Sequence, residues 1–509
     1  MLQLLTGKDA GDGSVRFRRH RPEQTLLYRL IEQYYPEFEM QWASEGRLLP
    51  NYVRREFDEY LKCGRLEHGF LRVQCEACHA EHLVAFSCKR RGFCPSCGAR
   101  RMVESAALLV DEVLPHQPIR QWVLSVPFPL RFLFASQPKI MGKALGIVYR
   151  SIATHLTRKA GYKNSTAHTG AVTLIQRFGS ALNLNIHFHM LFLDGVYVGE
   201  AGPSARFHWV KAPTSAELTQ LTHTIAHRLA RYLERQGLLE RDAEHSYLTL
   251  DNADEDPMDQ LRGHSITYRI AVGPQQGRKV FTLQTLPDER DADDAPAVGN
   301  VAGFSLHAGV AAKATQRDKV RSRSDREGAL GYKLERLCRY ITRPAIAEKR
   351  LSLTNQGRVR YELKTPYRDG TTHVIFEPVD FIAKLAALVP RPRVNLTRFH
   401  GVFAPNSKYR VWVTPARRGK GNWKVAADQD EKTPAQRHVA MSWAQRLKRV
   451  FNIDVKTCRV CGGAARVIAC IEDPVVIRKI LNHLQEQSSR DAGVLIPTPR
   501  APPQGSLFS

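Results

Sequence analysis

The sequence predicts an α+β protein, with helices packed on an antiparallel sheet and a small zinc-binding domain in front of it. Three observations lead to this prediction. Residues 183–192 alternate apolar and polar side chains, which is the period of a β-strand. Between residues 119 and 192 the segments follow the order strand, helix, strand, strand, which favours an antiparallel sheet. Paired cysteines at short spacing lie before these segments, within residues 75–97.

The alternating stretch predicts the strand that carries the chemistry. Its apolar side chains share one face and its polar side chains share the other. The apolar set is Leu184, Ile186, Phe188, Met190 and Phe192, and the polar set is Asn183, Asn185, His187 and His189. We therefore expect one buried face and one polar face, with two imidazoles side by side on the polar face. Such a pair can hold a divalent metal ion, although it is also compatible with ordinary polar surface.

A third metal ligand, Gln176, depends on the turn that precedes this strand. Residues 172–178 predict the neighbouring strand, and turn-forming residues follow them. If residues 179–184 form the connection, Gln176 lies opposite His187. A two-residue turn beginning at Gly179 would instead carry Gln176 several residues away.

The composition indicates a nucleic-acid partner. The 509 residues include 75 Lys and Arg against 50 Asp and Glu, for a formal charge of +25. The basic residues are spread along the chain, which favours an extended nucleic-acid track. No apolar run is long enough to span a membrane, and the first residues lack a signal peptide. Ten cysteines without such a signal indicate a reducing compartment, so we expect a cytoplasmic, nucleoid-associated protein.

The N-terminal part predicts a mobile arm at residues 1–20 and a helical, zinc-binding, DNA-docking domain at residues 21–110. Two Cys-x2-Cys knuckles suit one tetrahedral zinc site, because each knuckle presents two sulfurs. Its predicted ligands are Cys75, Cys78, Cys94 and Cys97. Free structural cysteines are the alternative. A second zinc could use Cys63, His68 and Cys88, and the number of zinc ions stays open.

Basic residues stand beside these knuckles. On a rigid zinc scaffold they are expected to contact DNA phosphates, although a solvated charged surface is the ordinary alternative. The predicted contacts are Lys89, Arg90, Arg91, Arg100 and Arg101.

Residues 111–405 are the predicted catalytic domain, interrupted by an acidic loop at residues 286–300. Within it, residues 214–236 predict a capped amphipathic helix on which His223 and His227 form a solvated face.

A second helix of this domain carries a candidate nucleophile. Its buried stripe ends near Pro344, and Tyr340 lies off that stripe beside the basic Arg336 and Arg343, which are predicted to contact DNA. A tyrosine among cations is well placed to meet a phosphate. An ordinary surface tyrosine would show the same pattern.

The C-terminal part predicts a basic region at residues 406–485 and a disordered tail at residues 486–509. The basic, glycine-rich stretch at residues 417–424 suits single-stranded DNA, and a plain linker suits it equally. A further zinc site could use Cys458, Cys461 and Cys470 with His483 as the fourth ligand.

Two parts of the catalytic domain carry a resemblance to a known family. Residues 187–189 match the histidine-hydrophobe-histidine motif of the HUH endonucleases, and residues 174–179 and 194–196 resemble rolling-circle transposases of insertion sequence family 91. Residues 337–344 are similar to the segment that carries that family's nucleophile. The resemblance implies that Tyr340 is the nucleophile and that a zinc-binding region docks DNA.

The resemblance also indicates a subgroup. Some members have a second tyrosine four residues before the first, where this chain has Arg336. The chain is therefore similar to the single-tyrosine, common-region-type members, and Tyr332 is out of register for the second role.

The implied reaction is nicking and rejoining of single-stranded DNA through a 5′-phosphotyrosine, during rolling-circle transposition. Two imidazoles and an amide oxygen suit Mg²⁺ or Mn²⁺ at the nuclease site, with Zn²⁺ in a structural role. A plasmid replication initiator or relaxase would use the same chemistry. A zinc-dependent DNA-binding protein with a vestigial nuclease site is the alternative from another class.

Overall fold

The computed structural model describes residues 15–16, 21–241, 246–249, 256–285, 298–312, 333–367, 369–419, 453–454, 456–458 and 460–491. Several predicted features lie largely or wholly outside these residues. They are the arm at residues 1–20, the acidic loop at 286–300, Tyr332, the basic stretch at 417–424 and most of the tail at 486–509.

Helices make up much of the described chain. In chain order they are α1 (Leu26–Ser44), α2 (Asn51–Lys62), α3 (Pro95–Leu108), α4 (Phe128–Ser136), α5 (Pro138–Lys159), α6 (Ser215–Arg235), α7 (Pro257–Ile266), α8 (Lys333–Ile341), α9 (Pro378–Leu388), α10 (Arg410–Val413) and α11 (Pro474–Asp491). Within the described ranges, none of these helices has the length and apolarity needed to cross a bilayer.

The strands form several sheets. In chain order they are β1 (Val15–Arg16), β2 (Phe70–Cys75), β3 (Glu81–Ala85), β4 (Ile119–Ser125), β5 (Ala167–His168), β6 (Gly170–Phe178), β7 (Leu184–Leu193), β8 (Gly195–Val198), β9 (Arg206–Trp209), β10 (Leu239–Arg241), β11 (Ser246–Leu248), β12 (Phe281–Gln284), β13 (Val298–Val301), β14 (Phe304–Ala312), β15 (Leu351–Leu353), β16 (Val359–Glu362), β17 (Thr371–Phe376), β18 (Thr397–Gly401), β19 (Ile453–Asp454) and β20 (Ala465–Ile471).

The central sheet has the strand order β13-β14-β4-β7-β6-β18, and all neighbouring strands in it are antiparallel. The histidine strand β7 lies in its middle. Helices α4, α5 and α6 pack on one face through a large apolar core. The predicted α+β class and the antiparallel sheet are confirmed.

Strand β7 is covered on both faces over most of its length, and only Asn185 and His187 are half-buried. The even-numbered residues from Leu184 to Phe192 enter the large core, as predicted. On the other face, Leu191 and Leu193 belong to a second apolar cluster that includes side chains of α3 and α8. The polar side chains do share one face, as predicted, but α3 and α8 cover that face at Leu191 and Leu193. Periodicity within one strand cannot report such a cover.

The register between β6 and β7 places Gln176 opposite His187. An irregularity between Gln176 and Phe178 adjusts the pairing, so that Phe178 lies opposite Leu184. The connection is residues 179–183, one residue shorter than the predicted 179–184, and the irregularity restores the pairing of Gln176 with His187. Gln176 therefore has the position that a third ligand requires.

Helix α6 has the predicted capping box. The Thr214 hydroxyl accepts from the backbone N–H of Glu217, and the Glu217 carboxylate accepts from the backbone N–H of Thr214 at 2.7 Å. Both satisfy donors that the first helical turn leaves unpaired. His223 and His227 are exposed on this helix, as expected.

Helix α8 ends at Ile341, ahead of Pro344, as expected from the proline. It packs against α3 of the N-terminal region. The Thr342 hydroxyl, just beyond the helix, lies 3.5 Å from the carbonyl oxygen of Met102 in α3. The N-terminal region therefore supports the helix that carries the candidate nucleophile.

A smaller sheet joins the two ends of the described chain. Its strand order is β20-β2-β3, and β20 pairs antiparallel with β2. A C-terminal strand therefore completes an N-terminal sheet. This pairing brings residues near Cys75 close to residues near Cys461.

Candidate active site and zinc centres

His187 and His189 lie side by side, with ring centroids 4.9 Å apart. The Nδ1 atom of His187 is 2.9 Å from the backbone carbonyl oxygen of Asn185. A carbonyl only accepts, so Nδ1 carries the proton and the lone pair lies on Nε2. The backbone thereby holds the His187 ring in the tautomer that a metal ion requires at Nε2.

His189 is held on its other side by Gln121. The side-chain amide of Gln121 lies 2.6 Å from His189 Nδ1. The nitrogen and oxygen of an amide exchange places by a half-turn, and with the oxygen accepting from Nδ1–H the lone pair of His189 lies on Nε2. Both side chains are buried, and His189 Nε2 is buried without a hydrogen-bond partner among the described residues. A buried polar atom without a partner is costly unless something else satisfies it. A metal ion on the two Nε2 atoms would do so.

Both imidazoles are neutral at physiological pH. Burial lowers the pKa of His187 to about 4. Burial lowers the pKa of His189 to about 2, with further contributions from the neighbouring His187 and Arg343. Neutral imidazole is the form that binds metal, so the electrostatics of the site fit a metal centre.

Gln176 connects this centre to the nucleophile helix. Its side-chain nitrogen donates to the backbone carbonyl oxygen of Ile341 at 3.3 Å. Because the nitrogen is engaged there, the amide oxygen is the atom left to serve as a ligand. Two imidazole nitrogens and an amide oxygen form a donor set that suits Mg²⁺ or Mn²⁺.

Tyr340 lies next to the histidines. Its ring centroid is 6.5 Å from that of His189, with the rings nearly perpendicular, and 38% of the side chain is exposed. The guanidinium carbon of Arg343 is 4.2 Å from the Tyr340 ring centroid, and the Nζ atom of Lys364 is 4.0 Å from it. Burial raises the pKa of Tyr340, but the charges of these two cations outweigh burial and lower the pKa below 10. The Tyr340 hydroxyl therefore loses its proton more readily than that of an ordinary tyrosine.

Sequence reasoning missed Gln121 and Lys364. Gln121 lies on β4, two positions before Val123, the residue paired with His189. Lys364 follows β16, which belongs to the separate sheet β12-β17-β16-β15. Neither residue is near the histidine motif in sequence, so no local pattern indicates it.

The predicted DNA-contacting residues divide into two groups. Lys89 and Arg336 are exposed and available to a ligand. Arg91 instead donates to the backbone carbonyl oxygens of Val394 and Arg391. Its guanidinium joins the N-terminal region to the segment before β18.

Three more predicted arginines make internal contacts. Arg101 donates to the carbonyl oxygens of Lys89 and Arg90, and Arg100 forms an ion pair with Glu104 at 3.0 Å. Arg343 donates to the carbonyl oxygen of Tyr340 and lies over its ring. These side chains therefore make structural contacts within the protein.

The ten cysteines include two groups of four whose sulfurs lie within 4.8 Å of one another. We call the first group the inner cluster, and it contains Cys63, Cys88, Cys94 and Cys97. Three of its members are buried. Backbone N–H groups of Cys88 and Lys89 donate to its sulfurs at 3.3 Å, which stabilises thiolates. Such a set of four thiolates suits a structural zinc ion.

We call the second group the outer cluster, and it contains Cys75, Cys78, Cys458 and Cys461. Its sulfurs approach in pairs, Cys75 with Cys461 and Cys78 with Cys458, each at 3.5 Å. Backbone N–H groups of Val460 and Gly463 donate to the C-terminal sulfurs. The cluster also suits zinc, and it lies at the end of the sheet β20-β2-β3.

The structure corrects the predicted pairing of the knuckles. Cys75 and Cys78 do not share a site with Cys94 and Cys97, because β2 pairs with β20 and carries the first knuckle to the C-terminal one. Cys63 and Cys88 complete the other site. His68 and Cys470 belong to neither cluster. Cys470 is exposed and contacts Glu472 instead.

Comparison with known families agrees with both parts of the molecule. Residues 30–126 match the family described as “Transposase zinc-binding domain”, the zinc-binding domain of IS91 transposases. Residues 170–410 match the family described as “Putative transposase”, and this range includes the two histidines, Gln176 and Tyr340. Comparisons with curated proteins and with solved structures give no significant match.

The two matches together span more than half of the 509 residues, and the cysteine clusters agree with a zinc-binding domain. A transposase acts on DNA and cuts and transfers its strands. The chain therefore belongs to the IS91 family of transposases.

Proposed function

We propose that the chain nicks and rejoins single-stranded DNA through a 5′-phosphotyrosine on Tyr340, as the single-tyrosine enzyme of a rolling-circle insertion sequence. The observation that carries this proposal is the position of Tyr340. Its ring lies 6.5 Å from His189, although the two residues come from distant parts of the sequence. A nucleophile beside a metal-binding pair is the arrangement that phosphodiester cleavage requires.

The chain's own residues supply the nucleophile and its activation. The Tyr340 oxygen attacks phosphorus, an O–P bond forms to the 5′ side of the cut, and the bond to the 3′ oxygen breaks. The phenol proton leaves to solvent, and the departing 3′ oxygen takes up a proton. Arg343 and Lys364 favour the phenolate and hold positive charge beside the phosphate. The reverse attack by a 3′-hydroxyl rejoins the strand without ATP.

His187, His189 and Gln176 would hold Mg²⁺ or Mn²⁺ at this place. Such an ion would orient the scissile phosphate and stabilise the charge that develops on it. Asn185 and Gln121 keep the two imidazole rings oriented. Gln176 also fixes the distance to the nucleophile helix through its bond to Ile341.

The partner in this proposal is single-stranded DNA, both the ends of the chain's own element and the target. The charge of +25 supports a strand that follows a long basic surface. We place the activity in the bacterial cytoplasm, at the nucleoid. The transposase match favours this role over that of a replication initiator.

The test uses purified full-length protein and labelled single-stranded oligonucleotides from the ends of its element, with Mn²⁺ or Mg²⁺. We expect a covalent adduct on a denaturing gel, mapped by mass spectrometry to Tyr340. Tyr340→Phe should abolish the adduct, and His187→Ala should reduce it by at least about 100-fold.

Tyr409→Phe is a matched control, because its hydroxyl donates to the Gly199 carbonyl oxygen outside the histidine site. It should form the adduct normally. An adduct on another tyrosine would overturn the assignment of Tyr340. Specific binding without any adduct would support a DNA-binding protein with a vestigial nuclease site.

A further inference from the structure

A cavity of about 290 Å³ lies between the N-terminal zinc-binding region and the central sheet. Its walls come from the segment around the inner cluster, from β6, from the end of α8 and from the segment after α9. The volume is near the lower limit of about 300 Å³ for small-molecule pockets. It therefore suits one nucleotide better than a longer ligand.

The cavity is strongly basic. Five arginines line it, and none of its described lining residues is Asp or Glu. They are Arg90, Arg91, Arg101, Arg177 and Arg343. The carboxylate of Glu56 lies behind the wall and accepts from the backbone N–H of Gly92. One carboxylate cannot balance five guanidinium groups, so the cavity favours an anion.

Arg177 is the most unusual of these residues. Its side chain is buried, and among the described residues it donates to the backbone carbonyl oxygens of Leu388 and Ala387 at the end of α9. Burial and then the charge of Arg262 lower its pKa to about 10, so it remains charged at neutral pH. A buried guanidinium held by carbonyls alone is stabilised when an anion binds beside it.

Arg90 adds a second donor. Its Nε atom is buried and has no hydrogen-bond partner among the described residues. Arg91 and Arg101, by contrast, are engaged with backbone carbonyls. Arg90 and Arg177 are therefore the residues best suited to bind a phosphate.

The remaining walls are partly apolar. Leu174, Ile175, Phe178, Pro344 and Leu388 contribute to the lining. Apolar and aromatic walls accept the face of a nucleobase without selecting its sequence. The same cavity can therefore bind both the phosphate and the base of one nucleotide.

The cavity adjoins the proposed nucleophile. Gln176 lines it and lies opposite His187. Arg343 lines it and also lies over the Tyr340 ring. Neighbouring strands are about 4.8 Å apart, so the cavity begins about one strand spacing from the histidines. A strand bound at Tyr340 would enter it with an adjoining nucleotide.

We propose that this cavity binds one nucleotide of the single-stranded substrate next to the scissile phosphate. Arg90 and Arg177 hold its phosphate, and the apolar wall receives its base. This inference rests on the proposed function for the identity of the strand. It adds a subsite that joins the zinc-binding region to the nuclease sheet.

The experiment measures binding without chemistry. Tyr340→Phe protein is titrated with fluorescent oligonucleotides from the element's ends, each with one uncharged methylphosphonate linkage. We expect one linkage beside the cleavage position to weaken binding by about tenfold. Adding Arg90→Ala should weaken the unmodified oligonucleotide to a similar degree and remove the penalty at that linkage, because the two changes delete one contact.

Arg72→Ala is the matched control, since Arg72 lies in the same region but pairs with Glu81 on the β2–β3 surface. It should leave the penalty unchanged. Ser105→Trp fills the cavity without removing charge. It should weaken binding of the oligonucleotide. It should also make binding insensitive to whether the nucleotide beside the cleavage position carries a base. If Arg90→Ala lowers the melting temperature of the protein, the Ser105→Trp variant tests the subsite in its place.

The subsite proposal would be overturned if the loss of binding from each methylphosphonate simply added to the loss from Arg90→Ala at every linkage. Unchanged oligonucleotide binding by Ser105→Trp would also overturn it. The adduct assay on the unmutated chain is read separately. An adduct with no coupled linkage would remove the subsite and leave the proposed function intact. If one linkage is coupled to Arg90 but no adduct forms, the subsite stands and the proposed nicking function falls.

Discussion

The inner and outer cysteine clusters have the same composition but are assembled differently. The inner cluster takes its four cysteines from residues 63–97 and is largely buried. The outer cluster joins Cys75 and Cys78 to cysteines some 380 positions later, and Cys78 and Cys461 are exposed. One is a local fold element, and the other closes a sheet between distant segments.

The clusters also differ in what they support. Helix α3 begins inside the inner cluster and packs against α8, which carries Tyr340. Gly98, next to Cys97, lies against Pro344 just after that helix. The outer cluster lies at the end of the sheet β20-β2-β3. The inner zinc should therefore position the nucleophile, whereas the outer zinc should mainly attach the C-terminal segment.

The largest expected effect follows from breaking the inner cluster. Cys97→Ser should leave one zinc per chain and reduce adduct formation by about 100-fold, because a shift of about 1 Å in a reacting group is enough for such a loss. Structural zinc contributes on the order of 10 kcal/mol to folding, so the melting temperature should also fall. Elemental analysis, thermal melting and the adduct rate test this. If one zinc is lost and the adduct rate is unchanged, the inner cluster does not position the nucleophile.

A smaller effect is expected from a substitution that crowds the contact between α3 and Pro344 while leaving every cysteine in place. A Cβ at residue 98 would lie 2.9 Å from Pro344 Cβ. Gly98→Ala should cost about 1–3 kcal/mol as overpacking and slow the adduct severalfold, with zinc content unchanged. Gly142→Ala is the control, because nothing lies within 4 Å of its added Cβ. Equal rates for the two variants would argue against this coupling.

Breaking the outer cluster should affect the chemistry least. The double variant Cys458→Ser with Cys461→Ser should also leave one zinc per chain. The adduct rate should stay within about twofold, because within the described ranges these residues share no partner with the active site. Limited proteolysis should show release of the segment that contains β20. A loss of adduct as large as that of Cys97→Ser would abolish the distinction between the clusters.

The smallest expected change is one of timing. A mild chelator should remove zinc in two phases, the outer ion first, because its sulfurs are more exposed. Activity should persist through the first phase when Mn²⁺ is restored before the assay. The variant with serines at 458 and 461 should show only the slow phase. A single phase in the unmutated chain would contradict the exposure argument.

Local patterns in the sequence predict much of this protein. The alternation in β7, the capping box of α6 and the end of α8 before Pro344 all form as expected. So does the opposition of Gln176 and His187, with a connection one residue shorter than predicted. The spacing of each Cys-x2-Cys pair also indicates zinc ligands. These features depend on residues within one element or one turn, where period and spacing are informative.

Tertiary structure decides the rest. The partner of each knuckle depends on β2 pairing with β20, and the second face of β7 is covered at Leu191 and Leu193 by α3 and α8. Gln121 reaches the site from β4 and Lys364 from the segment after β16, and the basic cavity forms only where separate segments meet. The sequence by itself determined which side chains can bind metal or attack phosphate. Packing between distant segments determined which of them meet, because contacts of that kind have no period along the chain.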